Sequence, residues 1–222
     1  MATRPVFCPK EGSVKTIEIN FEWHAGMAAS QKKKSIASLH KAANKNGLNN
    51  ILEISTKSEE KLGRDLSAFN LKIAISNRGN CFLESAYQGS KEFTEGGPYE
   101  DLYDLSPFEA KTDQRIKNSG QISSFKFEGE EWPLNPVEAF YSWIYINAVT
   151  QNKEDFKDIS KYSGFTDIEF NPKKSVNCQA YSAALYVSLL NEGVLEEVIK
   201  DKEAFIKHLI SNDKKSIQPK LI

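Results

Sequence analysis

Apolar and polar residues alternate through 14–21 (VKTIEINF), which predicts a strand with one buried face. From 30 to 43 (SQKKKSIASLHKAA) the period changes. Ile36, Leu39 and Ala43 recur at helical spacing, with Ser30 as the candidate N-cap. The turn signal NKNGLNN leads into ILEIS (51–55), a second strand, and then a helical turn at 57–62 before the loop GRDLSAF. LKIAIS (71–76) reads as a strand closed by NRGN. Residues 81–93 (CFLESAYQGSKEF) read as one helix ended by the glycines and proline at 96–98. Ser106 and Pro107 open a helix predicted over 106–118, and SSFKFEG (123–129) gives a short strand.

The segment 135–152 is apolar nearly all round, which predicts a central, buried helix, with Asn135 as cap and Pro136 in its first position. A second strong helix spans 175–193 and ends at Gly193. An amphipathic helix follows over 194–210, and the tail 212–222 is expected to fray. Helices outnumber strands, and strands do not alternate with helices as in a doubly wound sheet. The expectation is an α+β, helix-rich single domain over 1–222, with about seven helices and a few short strands.

Composition narrows the partners. The formal net charge of −1 gives no global basic field, so any nucleic-acid contact must come from a local patch. Cys8, Cys81 and Cys178 are widely spaced, and with His24, His40 and His208 they form no metal-ligand pattern. No metal and no cofactor are expected. The first residues (MATRPVFCPKEG) contain no apolar run of the secretory type, and no stretch is long enough to span a membrane. A soluble, cytoplasmic protein with reduced thiols is the expectation.

The candidate chemistry centres on 81–93. On a helix, Phe82, Leu83, Ala86, Tyr87 and Phe93 share one side, and Glu84, Gln88 and Lys91 share the other. Such a stripe fits a solvated face. It also fits one reactive centre, although its ends would lie roughly 10 Å apart along a helix axis. A second candidate is SQKKKS (30–35). Three lysines at a helix start fit either a charged surface turn or a phosphate site, and any of Lys32, Lys33 or Lys34 is a rival to Lys91 as the reactive amine. Trp23 and His24 lie in the loop FEWHAGM, where the ring either packs or stacks on a base. Tyr99 and Tyr103 follow GGP and line a pocket or pack. Trp132 and Trp143 read as core, and Cys178 at a helix start is placed for a lowered pKa.

LSAF (66–69) followed by ESAYQGSKEF (84–93) resembles the NADAR domain family, whose members carry an L-S-N-F-like stretch and an E-H-x-x-Q-A-x-K-F-like segment. Glu84, Gln88, Lys91 and Phe93 match the pattern; Ala68 and Ser85 stand where the family has Asn and His. The ordered set FEWHAGMAASQKKKSIASLH, GGPYEDLY, FEGEEWPLNPVEAFYSWIYINA and FTDIEFNPKKSVNCQAYSAALYVSL resembles the branch encoded beside DarT-type toxins. That resemblance assigns residues 1–60 to a part specific to this branch and 61–192 to the core motif region. It implies an antitoxin that removes ADP-ribose from guanine bases of DNA, with ADP-ribose as product. Glu84, Lys91 and, as an alternative amine, Lys34 are then the catalytic candidates. Trp23, His24, Ser30, Lys32, Lys33, Ser67, Phe69, Gln88, Tyr99, Asp167 and Asn177 are the substrate-binding candidates. The implied partners are ADP-ribosylated DNA and a cognate DarT-type toxin, bound directly or linked only genetically. Two other readings are a non-catalytic module that binds ADP-ribose or sequesters the toxin, and an N-glycosidase on phosphoribosyl intermediates of riboflavin synthesis.

Overall fold

The computed structural model describes residues 1–26, 28–172 and 177–217. Strands β1 (Ala2–Lys10) and β2 (Ser13–Phe21) form an antiparallel hairpin in unbroken register from Ala2↔Phe21 to Lys10↔Ser13. Glu11 and Gly12 close it with φ of 42° and 68°, the paired positive angles of a type I′ turn. The sequence does not announce β1, because Pro5 and Pro9 supply no N–H and interrupt its pattern. Helix α1 (Ala29–Lys45), strand β3 (Ile51–Glu53) and the short helix α2 (Lys61–Asp65) follow. Ser30 does not cap α1; Ala28 holds that position without a side-chain bond. The helical turn expected at 57–62 begins only at Lys61.

Strands β4 (Lys72–Ile75) and β5 (Gly79–Phe82) pair as a hairpin. The chain then enters α3 (Leu83–Gly89) and leaves it as strand β6 (Lys91–Phe93). The helix expected over 81–93 is therefore a strand end, a short helix and a second strand. The segment 106–118 is also divided. α4 (Pro107–Thr112) is opened by a Ser106–Glu109 capping box, and the chain extends at Asp113, whose carboxylate caps α5 (Gln114–Asn118). Strand β7 (Ile122–Phe127) lies between β6 and β8 (Glu130–Trp132).

The central helix α6 (Ala139–Gln151) starts after Glu138, so Asn135 and Pro136 precede it rather than cap it. Strand β9 (Gly164–Thr166) completes the order β2-β1-β9-β3, parallel to β3 and antiparallel to β1. The second buried helix, α7, spans Gln179–Asn191; residues 173–176, into which its expected start extends, lie outside the described residues. Gly193 follows it with φ of 69°. The helix expected over 194–210 breaks into α8 (Leu195–Ile199) and α9 (Lys202–Ile217), where Asp201 Oδ1 accepts from Ala204 N–H. α9 extends into the segment expected to fray, and residues 218–222 lie outside the described residues.

Alternation along β1 builds two cores. Val6 packs with Ile19, Phe21, Ile36 and Leu39 under α1, whereas Phe7 joins the main core, its ring 5.7 Å from that of Tyr181 on α7. The main core centres on α6, α7 and an aromatic cluster. Phe140 is fully buried, with ring centroids 4.8 Å from Phe125 and 5.6 Å from Trp132. Phe140→Ala is expected to cost about 3–5 kcal/mol in denaturant unfolding; a cost under about 1 kcal/mol would contradict this packing.

Candidate functional site

Helix α3 has no side-chain cap. Its first N–H groups are bound by the preceding loop instead: Leu83 N–H donates to the Leu71 carbonyl at 2.9 Å, and Glu84 N–H to the Ala68 carbonyl at 3.0 Å. The LSAF loop thereby fixes the orientation of α3. All of α3 is buried, and Glu84 and Gln88 are only 6% and 5% exposed, so the polar stripe is not a solvated face.

The last helical residue, Gly89, leaves no room for a side chain: a Cβ there would lie 2.6 Å from the Tyr103 ring and 2.9 Å from the Tyr99 carbonyl. Ser90 Oγ binds the Ala86 carbonyl at 2.7 Å, and the chain turns into β6. This turn folds Lys91 back over the helix. Lys91 Nζ donates to Gln88 Oε1 at 2.7 Å, and Gln88 Nε2 donates to Glu84 Oε1 at 2.9 Å. The two-turn separation expected of a continuous helix is absent, and a carboxylate, an amide and an amine form one chain. The chemistry fixes the amide's orientation: its NH₂ must face the carboxylate and its carbonyl the amine.

The chain lines a cleft of ≈ 990 Å³, at the upper end of the ligand-pocket range. Ser67, Phe69, Tyr87 and Tyr141 contribute from the α3 side; Trp23 and Lys32 contribute from the N-terminal layer. Burial, strengthened by the Lys111 cation, lowers the Lys91 amine to about 8, and the Glu84 carboxylate opposes that lowering. Its Nζ also sits 4.7 Å from the Tyr87 ring centroid. Burial pushes the Tyr87 and Tyr141 phenols up, so both stay protonated near neutrality.

Asp167 lines the cleft but is engaged by the fold. Its Oδ1 accepts from the Glu169 and Phe170 N–H groups at 2.9 and 3.2 Å, and its Oδ2 accepts from Gln179 Nε2 at 3.0 Å. Gln179 also donates to the Ile54 carbonyl at 2.7 Å and accepts from Ala68 N–H at 2.9 Å. One amide at the start of α7 thus ties the end of β3, the LSAF loop and the 167 loop together. Asn177 Nδ2 donates to the Tyr87 hydroxyl at 2.6 Å.

Behind Asp167 lies Glu53, which accepts from Thr166 Oγ1 at 2.6 Å and from Ile168 N–H at 2.8 Å. Burial pushes both carboxyls up, and the Glu53 charge adds to the rise at Asp167. The folded protein therefore holds protons that the unfolded chain releases. This stabilising contribution is full below the ordinary carboxylate range and is lost as pH rises through the folded values. Burial also lowers the His40 imidazole to about 4, which acts in the opposite sense below its ordinary range, so the test lies above that range: thermal unfolding is expected to give a higher midpoint at about pH 7 than at about pH 8, and a rise over that interval would contradict the assignment.

Of the other candidates, Lys32 alone in the lysine cluster reaches the cleft. Its Nζ is 3.4 Å from Glu169 Oε2 and 5.2 Å from the Trp23 ring centroid. Ser30, Lys33 and Lys34 are exposed on α1 and do not line the cleft. His24 is tied through its backbone, its N–H donating to Ser35 Oγ at 3.0 Å, and does not line it either. Tyr99 packs away from it, bonded to Ser119 Oγ with the Arg115 guanidinium 4.7 Å from its ring centroid. Cys178 is buried, and that burial raises its thiol pKa instead of lowering it as a helix start would.

Lys111, Tyr87, Tyr141 and Gln179 join the site without standing out as candidates in the sequence. The two tyrosines sit on faces that read as core, and Lys111 lies in a charged surface helix. Gln179 offers one signal, an amide opening an otherwise apolar helix. Among the described residues, no group of three or more His, Cys, Asp or Glu side chains is placed to hold a metal, and no helix is long and apolar enough to cross a membrane. No curated protein matches the chain. A family model described as DarT1-associated NADAR antitoxin matches residues 2–219.

Proposed function

The chain belongs to the DarT1-associated NADAR antitoxin family, and on that premise we propose that it hydrolyses the N-glycosidic bond between ADP-ribose and guanine in DNA. The observation that carries this reading is the Glu84–Gln88–Lys91 chain, with Glu84 and Gln88 buried, in the floor of a ligand-sized cleft. An amine near pKa 8 supplies a nucleophile near neutral pH, and a carboxylate beside it manages protons.

The sequence of events uses these groups and water. The C1″–O4″ bond breaks as O4″ takes a proton from water, leaving an iminium between C1″ and guanine N2. Lys91 Nζ adds to C1″, and N2 leaves with the proton that Nζ gives up. A Schiff base now joins C1″ to Lys91. Water adds to C1″ while Glu84 takes its proton and passes it to Nζ; Nζ departs as an amine as the C1″ hydroxyl gives up its proton, returning the one drawn from water, and O4″ adds back to the aldehyde with its proton moving to the C1″ oxygen, freeing ADP-ribose. Gln88 holds Glu84 and Lys91 in register throughout. Phe69, Trp23 and Tyr141 offer aromatic surface for the two bases, and Lys32 a cation for the pyrophosphate.

The test is incubation of the full chain with an oligonucleotide carrying ADP-ribose on guanine. Release of ADP-ribose with recovery of unmodified guanine is expected. Tight binding without release would replace hydrolysis with a binding module, and cleavage confined to phosphoribosyl compounds would move the substrate to riboflavin synthesis. Because the reactive amine must be neutral, kcat/KM is expected to rise with pH and level off above about 8. A profile that falls through that range would contradict the nucleophilic role.

A further inference from the structure

We propose that Lys111 is the fixed cation of this site: it neutralises Glu84 from the cleft mouth and leaves the amine chemistry to Lys91. Its Nζ lies 3.4 Å from Glu84 Oε1, the same oxygen that accepts from Gln88. It also stands 5.1 Å from the ring centroid of Phe69. The two amines therefore flank one carboxylate–amide pair, but in different surroundings. The Lys111 side chain is 54% exposed and reaches solvent, whereas Lys91 is drawn into the cleft floor.

The fold holds Lys111 in place. The capping box fixes the start of α4, and Ala110, next to Lys111, is fully buried. Ser85 Oγ, next to Glu84, donates to the Leu105 carbonyl at 2.9 Å, so α3 and the entry to α4 are pinned beside the ion pair.

Around Lys91, α3 supplies Glu84, Gln88 and the Tyr87 ring; α4 supplies Lys111; Tyr141 of α6 packs against Tyr87, and Asn177 bonds its hydroxyl. Across the sheet, Lys91 pairs with Phe125, which carries no charge. Among these, Glu84 favours the charged amine and Lys111 the neutral one. Removing Lys111 leaves the Glu84 charge uncompensated, and the Lys91 proton is then held to higher pH.

Two readouts test this, and only the kinetic one rests on the glycohydrolase reading. The first is the rate of acetylation of Lys91 by acetic anhydride against pH, followed by peptide mass spectrometry on the full chain. Lys111→Ala should move its midpoint upward and Lys111→Arg should restore it. The second is kcat/KM against pH on the ADP-ribosylated oligonucleotide. Lys111→Ala should lose roughly three- to tenfold near pH 7 and recover toward pH 9, because an amine that holds its proton about tenfold more tightly is about tenfold less often neutral there. An acetylation midpoint that does not move in Lys111→Ala, or that Lys111→Arg fails to restore, overturns the proposal. So does a rate lowered equally at every pH. Absence of turnover in the unaltered protein would fail the proposed function, while the acetylation result would still decide the role of Lys111.

Discussion

Lys91→Ala is expected to lower release of ADP-ribose from modified guanine by about a thousandfold or more, while unfolding changes by no more than about 1 kcal/mol. The large kinetic effect follows from removal of the nucleophile. The small stability effect follows from the position of the side chain: it lines an open cleft and makes one hydrogen bond, to Gln88 Oε1, which water can replace. Lys91→Arg separates two roles. It keeps a cation near Gln88 and the Tyr87 ring, yet a guanidinium is not neutral at any working pH. An inactive Lys91→Arg supports an amine that reacts; a nearly active one would reduce Lys91 to an electrostatic aid.

Glu84→Gln is the second large effect, a loss of about a hundred- to ten-thousandfold in kcat. The substitution keeps volume and an oxygen for Gln88, and removes the charge. Lys111 loses its partner, and water loses its base. The residual activity carries a further signature. The Glu84 charge raises the pKa of Lys91, so its removal should move the inflection near 8 to lower pH. An unchanged kcat would show that this carboxylate holds structure only.

The elements legible in the sequence are those with a sustained period. β2, α1 and the two apolar helices stand close to where hydrophobic spacing puts them, because each packs a continuous face. The ends depart from expectation where a competing local bond decides. Asp113 caps its own neighbour and divides 106–118; Asp201 does the same between α8 and α9. The site is legible in composition but not in form. Glu84, Gln88 and Lys91 have the spacing of a helical stripe, whereas α3 ends at Gly89, packed against Tyr103, and Lys91 lies on β6, paired with Phe125 of β7. That turn is a tertiary fact, set by residues distant in sequence. Lys111 is hidden for the same reason, since no period links it to Glu84.

Borohydride reduction during turnover bears most directly on the covalent role of Lys91. The full chain is mixed with oligonucleotide carrying ADP-ribose on guanine, quenched with borohydride during the first turnovers, digested and mapped by mass spectrometry. One ADP-ribose-derived adduct is expected, on the peptide containing Lys91, and none in Lys91→Ala. Release of ADP-ribose with no trapped adduct, or an adduct on Lys34 or Lys111 instead, would contradict a Schiff base at Lys91.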